Sequence, residues 1–215
     1  MLENFNKKIS ILDYGVGNIS NLLAAIDYCG ATGKIITTYK DIEMSDYIIL
    51  PGVGAFKYAI EELQNKNMIE AIHSHISKDK PFLGICLGMQ LMLNKSYEFG
   101  EIHGLGIIEG EVISIKSQQT KNNYFKIPHI GWNKLLENKN INNKYMDILN
   151  NKYMYFVHSY YANCKNQENV IANVNYNNII MPALIQHNHS YGCQFHPEKS
   201  GPDGLKLLKR FLYEQ

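Results

Sequence analysis

The chain has 215 residues, of which 45% are hydrophobic and 19% charged, a composition that indicates a packed globular protein and excludes disordered, collagenous and disulfide-stapled chains. Lysine and arginine number 21 against 20 acidic residues. This near-neutral balance, spread along the chain, favours neither nucleic acid nor an anionic membrane as a partner. At this length, one α/β domain covering residues 1–215 is the simplest interpretation.

The cysteines, the apolar segments and the N-terminus predict the cellular compartment of the protein. The four cysteines, at 29, 86, 164 and 193, lie far apart and form no CxxC pair, which argues against a zinc ribbon and favours a reducing compartment. The longest nearly apolar stretch, residues 81–93, is interrupted by glycines and is too short to span a membrane. The N-terminus lacks the pattern of a secretory signal. We therefore expect a cytoplasmic protein.

The first half of the chain alternates between strand and helix patterns. A short apolar run ends in a glycine-rich turn and is followed by hydrophobic residues at helical spacing up to Gly30. Further strands are predicted at 34–38, 47–50 and 81–85, and helical patterns at 56–76 and 88–95. The last of these strands runs directly into Cys86.

The second half alternates between apolar and polar residues, which predicts strands and hairpins. These segments are 107–116, 127–136, 153–162, 170–176 and 181–195, before a final helix at 205–212. The asparagine-rich segment 138–151 is predicted to be a surface loop. Together the patterns predict a three-layer α/β fold: an open, mixed, mostly parallel sheet with helices on both faces and antiparallel strands in the C-terminal half.

Cys86 is the strongest candidate for a nucleophile. It lies in the sequence Gly84-Ile-Cys86-Leu-Gly88, between a core strand and a helix, where flanking glycines allow a sharp turn. A thiolate at a helix start is stabilised by the helix dipole and by free N–H groups. The alternative is a buried structural cysteine, because free cysteines are often buried.

His196 and Glu198 form the second candidate group. Alternate residues of an extended segment face the same side, so Glu198 can orient His196 and fix its tautomer. The other ring nitrogen is then free to take the proton of a cysteine. The alternative is a core histidine beside a surface glutamate.

The chain resembles the class I (triad) glutamine amidotransferases in three blocks: PGVG at 51–54, GICLGMQ at 84–90 and QFHPEKS at 194–200. More narrowly, it is similar to the glutaminase subunits of imidazole glycerol phosphate synthases in YGVGNISN at 14–21, PHIGWN at 128–133 and FVHSY at 156–160. The resemblance runs in the same order over residues 9–211, with insertions near 116–125 and 138–151. It implies a flavodoxin-like fold.

The resemblance also implies the reaction, which is hydrolysis of glutamine to glutamate with the ammonia passed to a partner. By this resemblance Cys86 attacks the side-chain amide carbon and forms a glutamyl thioester. His196 moves the protons and Glu198 holds His196. No cofactor and no metal are implied.

Further roles follow from the resemblance, position by position. Backbone N–H groups of Leu87 and of the Gly52-Val53-Gly54 turn would form the oxyanion hole. The substrate amino acid would be held by a second set of residues, which comprises Gly54, Gln90 and Glu98, with Ser159 and Tyr160 contributing mainly backbone contacts.

In the family the partner is a (βα)8-barrel cyclase, which makes imidazole glycerol phosphate and AICAR in histidine biosynthesis. The two subunits form a heterodimer, and the positions similar to those that face the cyclase are Asn18, Asn21, Trp132 and Lys199. Trp132, the only tryptophan, is either an interface anchor or a core residue.

Several alternatives compete with this interpretation. Gly15 and Gly17 imitate a dinucleotide-binding fingerprint, but its third glycine is replaced by Ser20. The His-x-His pairs at 73–75 and 187–189 have no obvious third metal ligand. Two further hypotheses are a non-catalytic binding subunit and a cysteine hydrolase acting on another amide. The strongest rival is the same glutaminase chemistry feeding a different synthase, for example in the biosynthesis of an aminated surface sugar.

Overall fold

Residues 7–120, 124–138, 141 and 143–213 are described by the computed structural model, and they form two β-sheets flanked by helices. The strands are β1 Ile9–Leu12, β2 Gly33–Ile36, β3 Tyr47–Gly52, β4 Phe82–Cys86, β5 Leu93–Ser96, β6 Ile102–His103, β7 Ile108–Ser114, β8 His129–Glu137, β9 Tyr153–His158, β10 Tyr160–Cys164, β11 Val170–Tyr176, β12 Ile179–His187 and β13 Ser190–Cys193. The helices are α1 Ile19–Tyr28, α2 Tyr39–Glu43, α3 Phe56–Asn65, α4 Met68–Ser77, α5 Leu87–Leu91, α6 Met146–Leu149 and α7 Gly201–Tyr213.

The main sheet has nine strands in the order β2-β1-β3-β4-β13-β12-β11-β8-β9. The first five strands pair in parallel, and β12, β11, β8 and β9 continue the sheet in antiparallel pairs. The predicted mixed sheet with antiparallel strands in the C-terminal half is therefore confirmed. Parallel pairs make up half of the pairings instead of most, because β11, β12 and β13 follow one another through short turns and β8 and β9 add two further antiparallel pairings.

Helices cover both faces of this sheet, as predicted. Leu22 and Ile26 of α1 and Phe211 of α7 belong to one buried cluster, whereas Ile60 of α3 and Ile72 of α4 belong to the other. Successive strand residues point to opposite faces, so the central strands contribute to both clusters. The carboxyl ends of β3 and β4 are thereby held rigidly between two cores.

The helical patterns predicted at 56–76 are confirmed as two helices, which are separated at Asn67 by a left-handed φ of 53°. Two local predictions were wrong. The helical pattern predicted at 88–95 ends at Leu91, and β5 follows as part of a second sheet of order β10-β7-β5-β6. The surface loop predicted at 138–151 contains α6, whose Met146 and Leu149 are buried in the core.

Within the described residues, no helix is long and apolar enough to cross a membrane.

Candidate active site

The centre of the site is a sharp turn between β4 and α5. Cys86 ends the strand and caps the helix with φ 55° and ψ −106°, a conformation that L-residues rarely adopt. Such strain persists only where the surrounding structure enforces it, and it is common at functional sites. The turn presents the Cys86 side chain at the carboxyl edge of the parallel strands, and the residue is 6% exposed.

Two glycines make the turn possible because other backbone groups occupy the space of a side chain. A Cβ atom at Gly84 would lie 2.6 Å from the Gly88 carbonyl oxygen, and one at Gly88 would lie 1.9 Å from the Leu50 carbonyl oxygen. Neither distance is sterically possible. The glycines that flank Cys86 thus allow α5 to pack directly against β3 and β4.

The end of β3 packs against the same turn. Gly52 is the register partner of Cys86, and a Cβ atom there would lie 2.9 Å from the Leu87 Cβ. The preceding peptide is fixed by the buried Tyr14 hydroxyl, which donates a 2.8 Å hydrogen bond to the Pro51 carbonyl oxygen. Burial, followed by the nearby Cys86, raises the pKa of Tyr14, so the hydroxyl keeps its hydrogen.

His196 and Glu198 form a buried pair beyond the end of β13. The His196 Nδ1 and Glu198 Oε1 atoms are 2.8 Å apart, and the two side chains are 3% and 4% exposed. Among the described residues, neither His196 Nε2 nor Glu198 Oε2 has a hydrogen-bond partner. The ring is therefore oriented through Nδ1, and Nε2 is available for proton transfer.

The electrostatics of His196 link it to both candidate partners. Burial is the largest single influence and lowers its pKa, but the neighbouring Cys86 and Glu198 outweigh burial and raise the pKa to about 9. Both partners therefore favour the protonated imidazole over the neutral one. The predicted group of Cys86, His196 and Glu198 is brought together in space.

A cavity of about 260 Å³ opens beside Cys86. This volume lies just below the usual range of about 300–1,000 Å³ for ligand sites and suits a small metabolite. Val53 and Leu87 of the predicted oxyanion hole line this cavity. So do all the residues predicted for substrate binding, which are Gly54, Gln90, Glu98, Ser159 and Tyr160.

Several of these residues are fixed by hydrogen bonds within the protein. Glu98 accepts a 2.6 Å hydrogen bond from the Phe56 N–H through Oε2. The Tyr160 carbonyl oxygen accepts a 2.8 Å hydrogen bond from Gln90 Nε2. The Ser159 carbonyl oxygen accepts one from the Ile115 N–H. The wall of the cavity is thus ordered before any ligand binds.

Comparison with known proteins agrees with this geometry. A family model described as glutamine amidotransferase class-I matches residues 10–215. The chain belongs to the class-I glutamine amidotransferase family. Because the match covers almost the whole chain, the sequence resemblance to this family is confirmed.

Similar curated proteins are named as subunits of one synthase. The chain is 44% identical over 208 residues to "Imidazole glycerol phosphate synthase subunit HisH 1" of Legionella pneumophila (strain Lens), covering 95% of this chain and 98% of that protein. It is 47% identical over 203 residues to the HisH subunit of Caldanaerobacter subterraneus subsp. tengcongensis, covering 94% and 96%.

Solved structures of low sequence identity share the fold. A crystal structure of a glutamine amidotransferase has a TM-score of 0.71 at 16% identity, covering 95% of this chain and 97% of that one. The structure of PurLQS from Thermotoga maritima gives a TM-score of 0.71 at 16% identity, covering 96% and 98%. The predicted fold class is confirmed, and the protein is a glutamine amidotransferase.

The four residues predicted to face a partner differ in how exposed their side chains are, and none of them is buried. Asn18 and Asn21 are exposed at the start of α1, and Lys199 is half-buried. Trp132 is 53% exposed on β8 and contacts Tyr155 edge-on, with 6.0 Å between ring centroids. The core interpretation of Trp132 is therefore wrong. Asn18 also shares a narrow cleft with the Gly52-Val53 turn and Glu198.

The structure gives the alternative motifs ordinary structural roles. His75 is buried and its Nε2 lies 3.0 Å from the Pro81 carbonyl oxygen, whereas His73 is exposed on another face of α4. His189 Nε2 lies 3.5 Å from Asp79 Oδ2. In the described ranges, no group of three or more histidine, cysteine or acidic side chains is placed to hold a metal ion.

Sequence reasoning missed three groups that shape the site. Tyr14 anchors the peptide before the Gly52 turn, and the Val157 carbonyl oxygen lies 3.9 Å from the Cys86 sulfur. Gln194 donates through Nε2 to that sulfur at 3.7 Å. Gln194 lies two positions before His196, so strand alternation could have placed both on the same side. The other two contacts connect distant parts of the chain and leave no local signal.

Proposed function

We propose that Cys86, His196 and Glu198 are the catalytic triad that hydrolyses glutamine to glutamate and ammonia. The observation that carries the proposal is the buried His196 and Glu198 pair beside a cysteine on a strained turn. With Nδ1 held by Glu198 and a pKa raised to about 9, His196 is a base suited to take the thiol proton of Cys86 and so generate the attacking thiolate. Residues 1–215 would form one such amidotransferase domain.

The reaction then runs in two halves. The Cys86 thiolate attacks the side-chain amide carbon, and the tetrahedral intermediate collapses as His196 gives its proton to the departing ammonia. This leaves a glutamyl thioester on Cys86. In the second half His196 takes a proton from water, which attacks the thioester carbon. Glutamate is released, and the thiolate and imidazolium are restored. No step needs a cofactor.

The oxyanion that forms in each half requires hydrogen-bond donors. The N–H groups of Leu87 and of the turn at Gly52, Val53 and Gly54 are the candidates. Leu87, Val53 and Gly54 line the cavity beside Cys86, and Gly52 is the register partner of Cys86. Loss of one such donor typically lowers the rate by about 10²–10³-fold. The carboxylate of Glu98 in the same cavity suits the α-ammonium group of glutamine, and Gln90 suits the rest of the amino-acid head.

We propose that the ammonia is delivered to a (βα)8-barrel cyclase, as in imidazole glycerol phosphate synthase of histidine biosynthesis. Support comes from the relatives named as subunits of that synthase, at 43–47% identity over most of the chain. The second candidate acceptor is another synthase, because the glutaminase site itself does not specify where the ammonia goes. Four free thiols suit work in the reducing cytoplasm.

The proposed docking surface includes the exposed face of the ribbon formed by β8 and β9. Trp132 and Tyr155 are register partners on this ribbon, and Ile130 and Tyr153 are exposed nearby. The exposed Val53 follows the end of β3. A cyclase seated here would also contact Asn18 and thus approach the Gly52-Val53 turn. Apolar and aromatic side chains of this kind commonly anchor interfaces.

We expect Trp132→Ala to weaken cyclase binding about 30-fold, the effect of losing an interface anchor worth about 2 kcal/mol. The isolated protein should keep its melting temperature, because Trp132 lies outside the core. Titration calorimetry with the cyclase measures the binding. The matched control is Tyr28→Ala, an aromatic residue that is 79% exposed at the far end of α1. Equal weakening by both variants would contradict this docking surface.

The proposed function is tested by measuring glutamate release from glutamine by the chain alone and with the barrel cyclase and its N1-phosphoribosyl nucleotide substrate. We expect slow release by the chain alone and strong stimulation in the mixture, with imidazole glycerol phosphate as a product. A mixture that stays slow, while a different ammonia-using synthase stimulates release, would support the alternative acceptor. Full activity of the isolated chain would contradict activation by the partner.

A further inference from the structure

A chain of two buried amides connects the substrate cavity to the sulfur of Cys86. The Tyr160 carbonyl oxygen accepts a hydrogen bond from Gln90 Nε2 at 2.8 Å, and the Gln194 Oε1 atom accepts one from the same nitrogen at 3.0 Å. Gln194 in turn donates through Nε2 to the Cys86 sulfur at 3.7 Å. Gln194 has no exposed surface.

The Tyr160 carbonyl oxygen determines which end of each glutamine amide is the nitrogen. A carbonyl oxygen can only accept, so the Gln90 end that faces Tyr160 must be its nitrogen. Both hydrogens of that nitrogen are then used, one on Tyr160 and one on Gln194 Oε1. Gln194 must therefore present its own nitrogen to the sulfur. The assignment of both amides follows from the carbonyl and does not depend on a choice between equivalent orientations.

The two contacts on the sulfur respond oppositely when Cys86 ionises. The Val157 carbonyl oxygen, at 3.9 Å, can accept the thiol hydrogen, and this bond is lost with the proton. The N–H of Gln194 remains and becomes stronger, because hydrogen bonds to a charged acceptor are about twice as strong as neutral ones. Burial of Gln194 excludes water that could replace it.

We propose that Gln194 is a positioning residue of the glutaminase reaction, which donates a hydrogen bond to the Cys86 sulfur and stabilises its ionised form. The inference rests on the proposed role of Cys86 as the nucleophile. Gln194 itself does not line the substrate cavity, so it acts on the reaction through Cys86 and Gln90.

The test is the rate at which iodoacetamide alkylates Cys86, followed by mass spectrometry of the Cys86 peptide across pH. Gln194→Met removes the donor at nearly constant volume. We expect the pH of half-maximal alkylation to rise by about one unit, as for loss of one charge-assisted hydrogen bond. Gln194→Glu keeps the Oε1 acceptor but brings a carboxylate to the sulfur, and we expect a larger rise.

Other groups near the sulfur are unchanged in these variants, so they cannot produce the difference. They are His196, with Glu198 behind it, Tyr14 after β1, Cys193 on β13, and Glu98, His158 and Tyr160, which line the same cavity as Cys86. The matched control is Gln186→Met on β12, which removes a side chain bonded to Asn188, Tyr191 and Asn143. We expect this control to leave the midpoint unchanged.

Failure of the proposal and failure of the proposed function give different results. Suppose that Cys86 is reactive in the unsubstituted protein and that a folded Gln194 variant has the same pH of half-maximal alkylation. This result would overturn the role of Gln194 but not the role of Cys86. Cys86 that is no more reactive in the unsubstituted protein than the buried Cys164 would instead contradict Cys86 as the nucleophile. If Gln194→Met does not fold, the nearly isosteric Gln194→Glu decides the outcome.

Discussion

Replacing Cys86 with alanine is expected to abolish glutamine hydrolysis, with a loss of at least about 10⁴-fold in kcat. Without the sulfur no thioester can form, and the remaining oxyanion donors can only assist direct attack by water. The fold should survive, because the hydrogen bonds that the sulfur makes to Gln194 and Val157 are long, at 3.7 and 3.9 Å. Glutamate release, measured in the presence of the partner synthase, gives the residual rate.

Two observations must accompany this result. The melting temperature and the affinity for the partner should match those of the unsubstituted protein, which separates lost chemistry from lost structure. Cys193→Ala is the matched control, since Cys193 is a fully buried thiol on the adjacent strand that has no role in the proposed reaction. Retained turnover by Cys86→Ala would exclude Cys86 as the nucleophile.

Replacing Gly88 with alanine is expected to destabilise the protein by about 3 kcal/mol or more, which lowers Tm by about 6–12 °C for a chain of this size. The added Cβ would lie 1.9 Å from the Leu50 carbonyl oxygen, so β3 and α5 must separate. In an unconstrained helix the same change would stabilise by about 1 kcal/mol. Urea unfolding monitored by circular dichroism measures both sign and size.

The control for this variant is Gly100→Ala. Gly100 has φ 119°, and nothing lies within 4 Å of an added Cβ. The alanine substitution there therefore costs about 1–2 kcal/mol of backbone strain but causes no collision. Gly88→Ala should therefore be the more destabilised of the two and should also lose activity, because Cys86 is displaced. A neutral or stabilising Gly88→Ala would show that the turn is looser than the structure indicates.

The parts of the site that sequence reasoning could predict are those coded by neighbouring residues. Gly84, Cys86 and Gly88 lie within five positions and together predict a tight turn that presents a nucleophile. The predicted contact between His196 and Glu198 is present, but the predicted reason, strand alternation, is wrong: Glu198 lies in a short 3-10 helix, Pro197–Lys199, which His196 caps. The distance from Cys86 to this pair in the sequence is large, and only the family resemblance connects them in advance.

The parts that could not be predicted depend on contacts between distant segments. Helix α5 ends at Leu91 because the residues that follow form β5, which pairs with β6 and β7. Both of these strands come later in the sequence. Tyr14, after β1, reaches Pro51 at the end of β3, and the Val157 carbonyl of β9 reaches the Cys86 sulfur. Local propensity carries no information about such pairings, and tertiary contacts override it here.

The exposure of Trp132 could likewise not be decided from its own strand. Tryptophan is both a common core residue and a common interface anchor, and alternation along β8 fixes only that Trp132 and Ile130 share a face. Both side chains are more than half exposed, so no described element covers them. Which part of a sheet face stays uncovered is a property of the whole fold.

The most direct test of the account is covalent labelling with a glutamine analogue that carries an electrophilic carbon in place of the side-chain amide. We predict one label per chain on Cys86, prevented by excess glutamine and absent from Cys86→Ala. The other three thiols, at 29, 164 and 193, should stay unlabelled, because they lie outside the cavity that Cys86 lines. A label on one of those thiols, or labelling of Cys86 that glutamine does not slow, would contradict the assignment of the catalytic site.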